Sequence, residues 1–354
     1  MVRGLNSAKS ITYGSNVERR IIGSKARATP SAAPVASHVR VDEGSQGQRL
    51  DNFLVKQLKG VPKSHVYRVI RSGEVRVNKG RADASTRLAL GDDVRLPPVR
   101  VAEASAAAEA PAREFAVVFE DEHLIAIDKP AGVAVHGGSG VDFGVIEHLR
   151  RARPEAAFIE LVHRLDKETS GLLLVAKKRA ALVALQEQLR ARGEQTMVKT
   201  YAALVAGAWP ANLKVIDIAL HKYLDAEGER RVRVVEADHA AGKRSITLVR
   251  VARAWPTCTL LDVTLKTGRT HQIRVHLASA GHPIVGDPKY GDFALNRSYA
   301  RGTALPGLRF ERMFLHARAL RFAHPADDRT IELEAPLPAE CLDLIEALSG
   351  TTRA

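Results

Sequence analysis

Cysteine is scarce in this 354-residue chain, and the two present, Cys258 and Cys341, stand far apart. Two isolated cysteines build neither a disulfide framework nor a paired zinc-binding spacing, and they point to a reducing cytoplasm. No apolar run is long enough to cross a membrane. The opening residues, MVRGLNSAKSITYG, lack the apolar stretch of a signal peptide, so none is expected. There is no internal repeat. No carboxylates or histidines gather at metal-ligand spacing. No pair of equally marked acidic motifs appears, as acid/base hydrolysis by two carboxylates would need.

What is present is ordinary in amount and uneven in place. The chain is 45% apolar and 26% charged, a balance usual for a soluble protein. Its length suits two domains, one with a large core. Residues 1–36 hold six Lys/Arg and one acid, and residues 37–100 hold thirteen and seven. Of the net +13, the first hundred residues therefore carry +11, leaving +2 for the other 254. Such asymmetry implies a basic module delivering a nearly neutral body to a polyanion, the alternative being a merely solvated basic surface.

Residues 1–36 mix Ser, Ala, Pro, Gly and Arg without periodicity and are expected to be a disordered basic tail. A compact α/β module over 37–100 follows. QRLDNFLVKQL sets Leu50, Phe53, Leu54 and Leu58 at helical spacing. PKSHVYRVIRSG predicts a second helix, capped at Ser64 and stopped at Gly73. Val66, Val69 and Ile70 share one of its faces, and His65, Arg68 and Arg71 the other. EVRVNKG then alternates into a strand and a tight turn. A short helix with an apolar back and a basic front suits a phosphate backbone, with Lys63, His65, Arg68 and Arg71 as the contacts. The order RLDNFL, SHVYRVIRSGEVRVN, LALGDDVRL over residues 47–96 resembles the S4 RNA-binding domain.

Ala-rich residues 101–114 are read as a linker. From Phe115 to about residue 349, strand patterns (HLIAIDKP, GLLLVAKK, KTYAALVAG, CTLLDVTL) alternate with helices such as ALVALQEQLRAR. The mixture predicts an α+β domain on a sizeable sheet around one core. Four segments have no need of their composition for folding alone. DKPAGVAVHGGSG is a glycine-rich loop after a strand, and TGRTHQIRVH crowds two arginines and two histidines at a helix start. GHPIVGDPKYG is a second glycine-rich loop. HRLDKETSG places Asp166 among Arg164 and Lys167 just before an apolar strand, although aspartate is a poor strand former. By itself Asp166 fits a cap, an ion pair or a metal ligand. The simplest account is that it meets a cation from a distant segment in a cleft. The neighbouring acids, Glu160 and Glu168, form no metal-site pattern, and His163 reads as a local hydrogen-bonding residue.

HRLDKETSGLLLVAK, KTYAALVAG, TGRTHQIRVH and GHPIVGDPKYG, in that order, resemble the RNA pseudouridine synthases that act on ribosomal RNA. AVHGGSG followed by FGVIEHLR most resembles the C-type, large-subunit branch of that family, which also carries an N-terminal S4 domain. The resemblance implies an S4-like module followed by a catalytic domain on a mixed, mostly antiparallel sheet. It implies isomerisation of uridines in large-subunit (23S) ribosomal RNA near the peptidyl-transferase region, by a cytoplasmic enzyme taken to be a monomer. By carry-over Asp166 is the catalytic aspartate, Tyr201 the active-site tyrosine and Arg274 the aspartate's partner. Arg164, Lys167 and Arg269 read as phosphate or scaffold contacts. Pseudouridylation breaks the uracil N1–C1′ bond, turns the base, joins C5 to C1′ and removes the C5 proton. Nothing is oxidised or imported, so no metal and no small-molecule cofactor is expected. Whether Asp166 attacks C1′, attacks C6 or takes a 2′ proton stays open, as do a synthase of other rRNA or tRNA uridines and an S4-type RNA-binding protein without catalysis.

Overall fold

The computed structural model describes residues 35–58, 60–98, 110–138, 141–191, 193, 197–225 and 229–350. The expected tail (all but its last two residues) and most of the expected linker lie outside these.

The first unit runs β1 (Ser37–Arg40), α1 (Leu50–Gln57), α2 (Lys63–Arg71), β2 (Arg76–Val77) and β3 (Asp93–Leu96). Its antiparallel sheet has the order β1-β3-β2. The helical spacing read from the sequence is the packing: Leu50, Phe53, Leu54, Val66, Val69 and Ile70 meet Val94 and Leu96 in one core. α2 begins one residue before the expected Ser64 cap. Pro62, at φ −57°, takes the N-cap place, and its carbonyl accepts from the amides of His65 and Val66. A proline there has no amide to leave unpaired.

The second unit opens with β4 (Ala116–Glu120), β5 (Leu124–Lys129), α3 (Val145–Ala152), β6 (Glu160–Leu161), β7 (Ser170–Ala176) and α4 (Arg179–Arg190). Next come β8 (Val198–Ala206), β9 (Val215–Leu224), β10 (Arg230–Val235), β11 (Lys243–Ala254), β12 (Cys258–Leu265) and α5 (Gln272–Ser279). It closes with α6 (Phe293–Arg301), β13 (Leu315–Ala323), β14 (Thr330–Glu334) and α7 (Ala339–Gly350). The sheet runs β10-β9-β11-β12-β8-β13-β7-β5-β4, with β14 added at β13 and β6 at β7. Among the described residues only β13 against β7 is parallel, so the fold is α+β on a mixed, mostly antiparallel sheet.

The expected single core is divided into two large clusters, with a small third of Leu220, Val232 and Val275. β7 is buried along its whole length, the continuous apolar run of a strand covered on both faces. Side chains alternate across a strand, so Leu173 and Val175 join Ile125 and Ile127 in one cluster. Leu172 and Leu174 join Leu124 and Ala126 in the other, under α4. The sheet itself separates them.

β7 and β13 approach closely through Gly171, at φ 106°, where a Cβ would lie 2.3 Å from the Ala317 carbonyl oxygen. That contact sets the segment before β7, which carries Asp166, beside β13 and its neighbour β8. The two units also touch, the Arg179 guanidinium donating to the Gln46 carbonyl at 3.0 Å.

Candidate active site

Asp166 lies in the turn between β6 and β7, where its own carbonyl accepts from the Thr169 amide at 3.1 Å. The loop after β5 braces this turn. The Gly132 amide donates to the Lys167 carbonyl at 2.9 Å. The fully buried Lys129 ammonium reaches the carbonyls of Pro130 (2.8 Å), Val133 (2.8 Å) and Lys167 (3.1 Å). Burial pushes Lys129 down to about 7, while three carbonyls, one per ammonium proton, favour its charged form. His163 accepts from the Leu174 amide at 3.2 Å, the local role expected of it. Burial and then the Lys199 charge push it down to about 3, so its ring is neutral.

The distant cation is Arg274, on the first turn of α5. Its Nη1 donates to Asp166 Oδ2 at 3.1 Å across 108 positions of sequence. The same guanidinium makes a second and tighter pairing that the sequence reading missed. Nε and Nη2 donate to the two oxygens of Asp287, at 2.8 and 2.7 Å. The planar fork of Arg274 is thus on Asp287, and Asp166 is held by one nitrogen. Asp287 sits in the GHPIVGDPKYG loop and is 1% exposed, against 27% for the Asp166 side chain. It also accepts from the amides of Lys289 (2.8 Å) and Tyr290 (3.0 Å). The loop can close only over glycine, because at Gly286 (φ 79°) a Cβ would fall 1.8 Å from the Arg312 carbonyl oxygen.

Burial opposes the charges of Arg274 and Asp287, and their pairing overrides it. The bonds and charge of Asp287, then of Asp166, raise Arg274 above its ordinary value. Burial raises the Asp287 carboxyl, but Arg274 and the two amides outweigh it and hold the group below the usual carboxylate value. His271 caps α5 in the left-handed region at φ 52°. Its Nε2 stands 3.9 Å from Asp166 Oδ2, and its Nδ1 lies 2.9 Å from the Tyr290 hydroxyl. Burial lowers its pKa, with Asp166 pulling the other way. Buried Gln272 fastens the TGRTH turn, accepting from Thr267 Oγ1 and the Arg269 amide and donating to the Ile246 carbonyl.

These groups open onto a cleft of about 1210 Å³ whose wall includes Tyr201 of β8. Tyr201 is 6% exposed, and burial followed by the Asp166 charge pushes its hydroxyl well above its usual value. It therefore keeps its proton at neutral pH. The structure brings Asp166, Tyr201, Arg274, Arg164 and Arg269 to this one cleft. Lys63, His65, Arg68 and Arg71 lie on α2, outside its lining. The α2 face is less purely basic than expected, since Arg68 pairs with Glu74 at 3.4 Å and half-exposed Tyr67 shares it, bonded to Asp51.

Nor is the second unit neutral where it matters. Among the described residues its cleft is lined by ten lysines and arginines and only two acids, Asp166 and Glu229. Lys199, Lys222, Arg230, Lys266 and Lys289 were not singled out in the sequence, because they come from five segments that only the sheet gathers. Among the described residues no three His, Cys, Asp or Glu side chains cluster as metal ligands.

A family model described as RNA pseudouridylate synthase matches residues 123–279, and the S4 domain model matches residues 48–94. The chain is 50% identical over 315 residues to ribosomal large subunit pseudouridine synthase C of Escherichia coli K12. That match covers 87% of this chain and 94% of the relative. The Haemophilus influenzae protein of the same name is 48% identical, with the same coverage. Among solved structures, human RNA pseudouridylate synthase domain containing 1 aligns at a TM-score of 0.50 and 26% identity, covering 68% of this chain and 97% of that one. Human RNA pseudouridylate synthase domain containing 4, at a TM-score of 0.52 and 24% identity, shares the fold over 66% of this chain and 93% of its own. With an S4 domain ahead of a synthase domain and half its residues shared with full-length relatives, the chain belongs to the RNA pseudouridine synthase family.

Proposed function

We propose that this enzyme isomerises uridines of large-subunit ribosomal RNA, with Asp166 as the catalytic carboxylate, Arg274 as its partner and Tyr201 as the platform for the target base. One observation carries the reading: a part-exposed carboxylate, fixed by a buried arginine, in the wall of a cation-lined cleft. A polyanion is drawn to such a cleft, while Asp166 offers an anion to the ribosyl centre of a uridine turned out of its helix. The relatives' names supply the large subunit as substrate. The reaction is an isomerisation that balances without an imported group, so the enzyme is proposed to act without a cofactor. Incubation with ribosomal and transfer RNA transcripts, followed by digestion and nucleoside chromatography, tests it. A mass-silent uridine isomer in 23S RNA is the expected product. Binding without isomer would leave an S4-type RNA-binding protein, and isomer in transfer RNA alone would move the target.

Tyr201→Ala is expected to be more damaging than Tyr201→Phe. Stacking of a base on an aromatic ring contributes about 1–3 kcal/mol, and phenylalanine keeps the ring. The raised Tyr201 hydroxyl is a poor resting base for the C5 proton. Single-turnover rates check this. Phe as slow as Ala would give the hydroxyl the proton step, and three equal rates would remove Tyr201 from the site.

The S4 face has its own test. Reversing charge at exposed Arg68 and Arg71 is expected to weaken RNA binding and leave the chemical step intact. Each lost phosphate contact should flatten the dependence of log affinity on log salt by about 0.7 for a single strand. An unchanged slope would mean that this face is only solvated.

A further inference from the structure

We propose that Lys199 is a further catalytic residue of this synthase, its ammonium donating to a carbonyl oxygen of the target uracil as the ring takes on negative charge. The inference rests on the reading of the cleft as a uridine site.

Lys199 and Tyr201 lie two residues apart on β8, hence on one side of the strand, and both line the cleft. A base stacked on the tyrosine ring therefore has this ammonium as a neighbour. Lys199 differs from the site's other buried cations. Arg274 is matched by two carboxylates and Lys129 by three carbonyls. The ammonium of half-buried Lys199 has no hydrogen bond or ion pair among the described residues, and burial lowers its pKa. Leaving a part-desolvated charge unmatched is costly. The TGRTH turn passes close beside it. A Cβ on Gly268, which has no side chain, would stand 3.5 Å from Nζ. The nearby His163 ring is neutral and adds no charge beside it.

The reaction supplies that anion. When N1–C1′ breaks, its electron pair stays on the uracil and spreads over N1, O2 and O4. C1′ is taken up by the Asp166 carboxylate or held as a cation beside it. The turned ring then uses an electron pair at C5 to form C5–C1′. C5 loses its proton and N1 gains one, so no co-reactant is consumed. A donor aimed at charge that develops in the transition state acts on rate rather than affinity. The exposed Arg164, Lys167 and Arg269 at the rim suit the phosphate backbone. Lys199, set into the wall beside the ring platform, suits the base.

Lys199→Met keeps the length of the side chain, suits a half-buried position and removes the charge, while Lys199→Arg keeps it. At saturating RNA, the Met variant should lose about 100-fold in single-turnover rate, the scale for one oxyanion donor. Its Kd and the salt dependence of binding should match the parent's, and Arg should recover part of the rate. Fluorine at C5 makes uracil a better leaving anion, so on RNA carrying 5-fluorouridine at the target the Met deficit in base release should shrink by about tenfold. A phosphate contact or a structural role predicts equal deficits on both RNAs. That result, a parent-like Met rate, or a loss confined to Kd with a flatter salt slope would each overturn the proposal. The parent's rate on plain uridine RNA keeps the two readings apart: an inactive parent sinks both, whereas an active parent with indifferent Lys199 variants sinks only this one.

Discussion

Asp166→Asn is expected to bind RNA with nearly the parent's affinity and to make no detectable pseudouridine. Asparagine keeps the size of the side chain and an oxygen that can accept from Arg274 Nη1, so the turn between β6 and β7 has no reason to move. Arg274 also keeps both bonds to Asp287, leaving the buried pair intact and the thermal midpoint close to the parent's. What disappears is the anion. Among the described residues the cleft holds one other acid, Glu229, and that one is paired with Lys289 at 2.6 Å. No neighbour can stand in for Asp166, and loss of a nucleophile typically costs about 10⁴-fold or more. RNA tritiated at uridine C5 reports the reaction, since product formation releases the label to water. Label release within about tenfold of the parent's rate would take Asp166 out of the mechanism, on the same scale of effect.

Asp166 was legible because a charged turn before an apolar strand has no folding role, and Arg274 because TGRTHQIRVH crowds cations at a helix start. Tyr201 was different. In KTYAALVAG nothing separates it from an ordinary buried strand aromatic, and only the resemblance to a family marked it. Asp287 was quoted within its loop and given no role, though an acid between glycines and prolines, followed by Lys289 and Tyr290, is the trace of a buried carboxylate held by backbone amides. The cation-lined cleft was illegible for a plainer reason. Net charge sums over a whole surface, and the acids that balance this unit lie elsewhere, such as Glu120, Asp217 and Glu340, already paired to Arg153, Arg244 and Arg312. The two large clusters follow from strand parity, which one strand shows only when its neighbours in the sheet are known.

Arg274→Lys is expected to be nearly as damaging as Arg274→Ala, although it conserves charge. The guanidinium serves two carboxylates at once, presenting a planar fork to Asp287 and its remaining nitrogen to Asp166. An ammonium is a point charge on a flexible stem and cannot hold both geometries. If lysine follows Asp287, Asp166 loses its anchor; if it follows Asp166, a carboxylate 1% exposed keeps only two backbone amides. Breaking a buried pair by removing one partner costs about 3–5 kcal/mol, so a fall in thermal midpoint should accompany the fall in rate. The linkage has a definite sign. The pair holds the Asp287 carboxyl below its ordinary value. Its contribution to stability is therefore complete above about pH 4 and is lost as acid titrates the folded protein. Asp287→Asn should reproduce much of the rate defect, although Asp287 does not line the cleft, with unchanged RNA affinity. Arg269→Lys is the contrast: Arg269 is exposed at the rim, and a phosphate contact should survive the exchange with a modest loss. Single-turnover rates at saturating RNA, taken well below each variant's thermal midpoint, separate these cases. A parent-like Arg274→Lys beside a dead Arg269→Lys would show that the wrong arginine has been given to the aspartate.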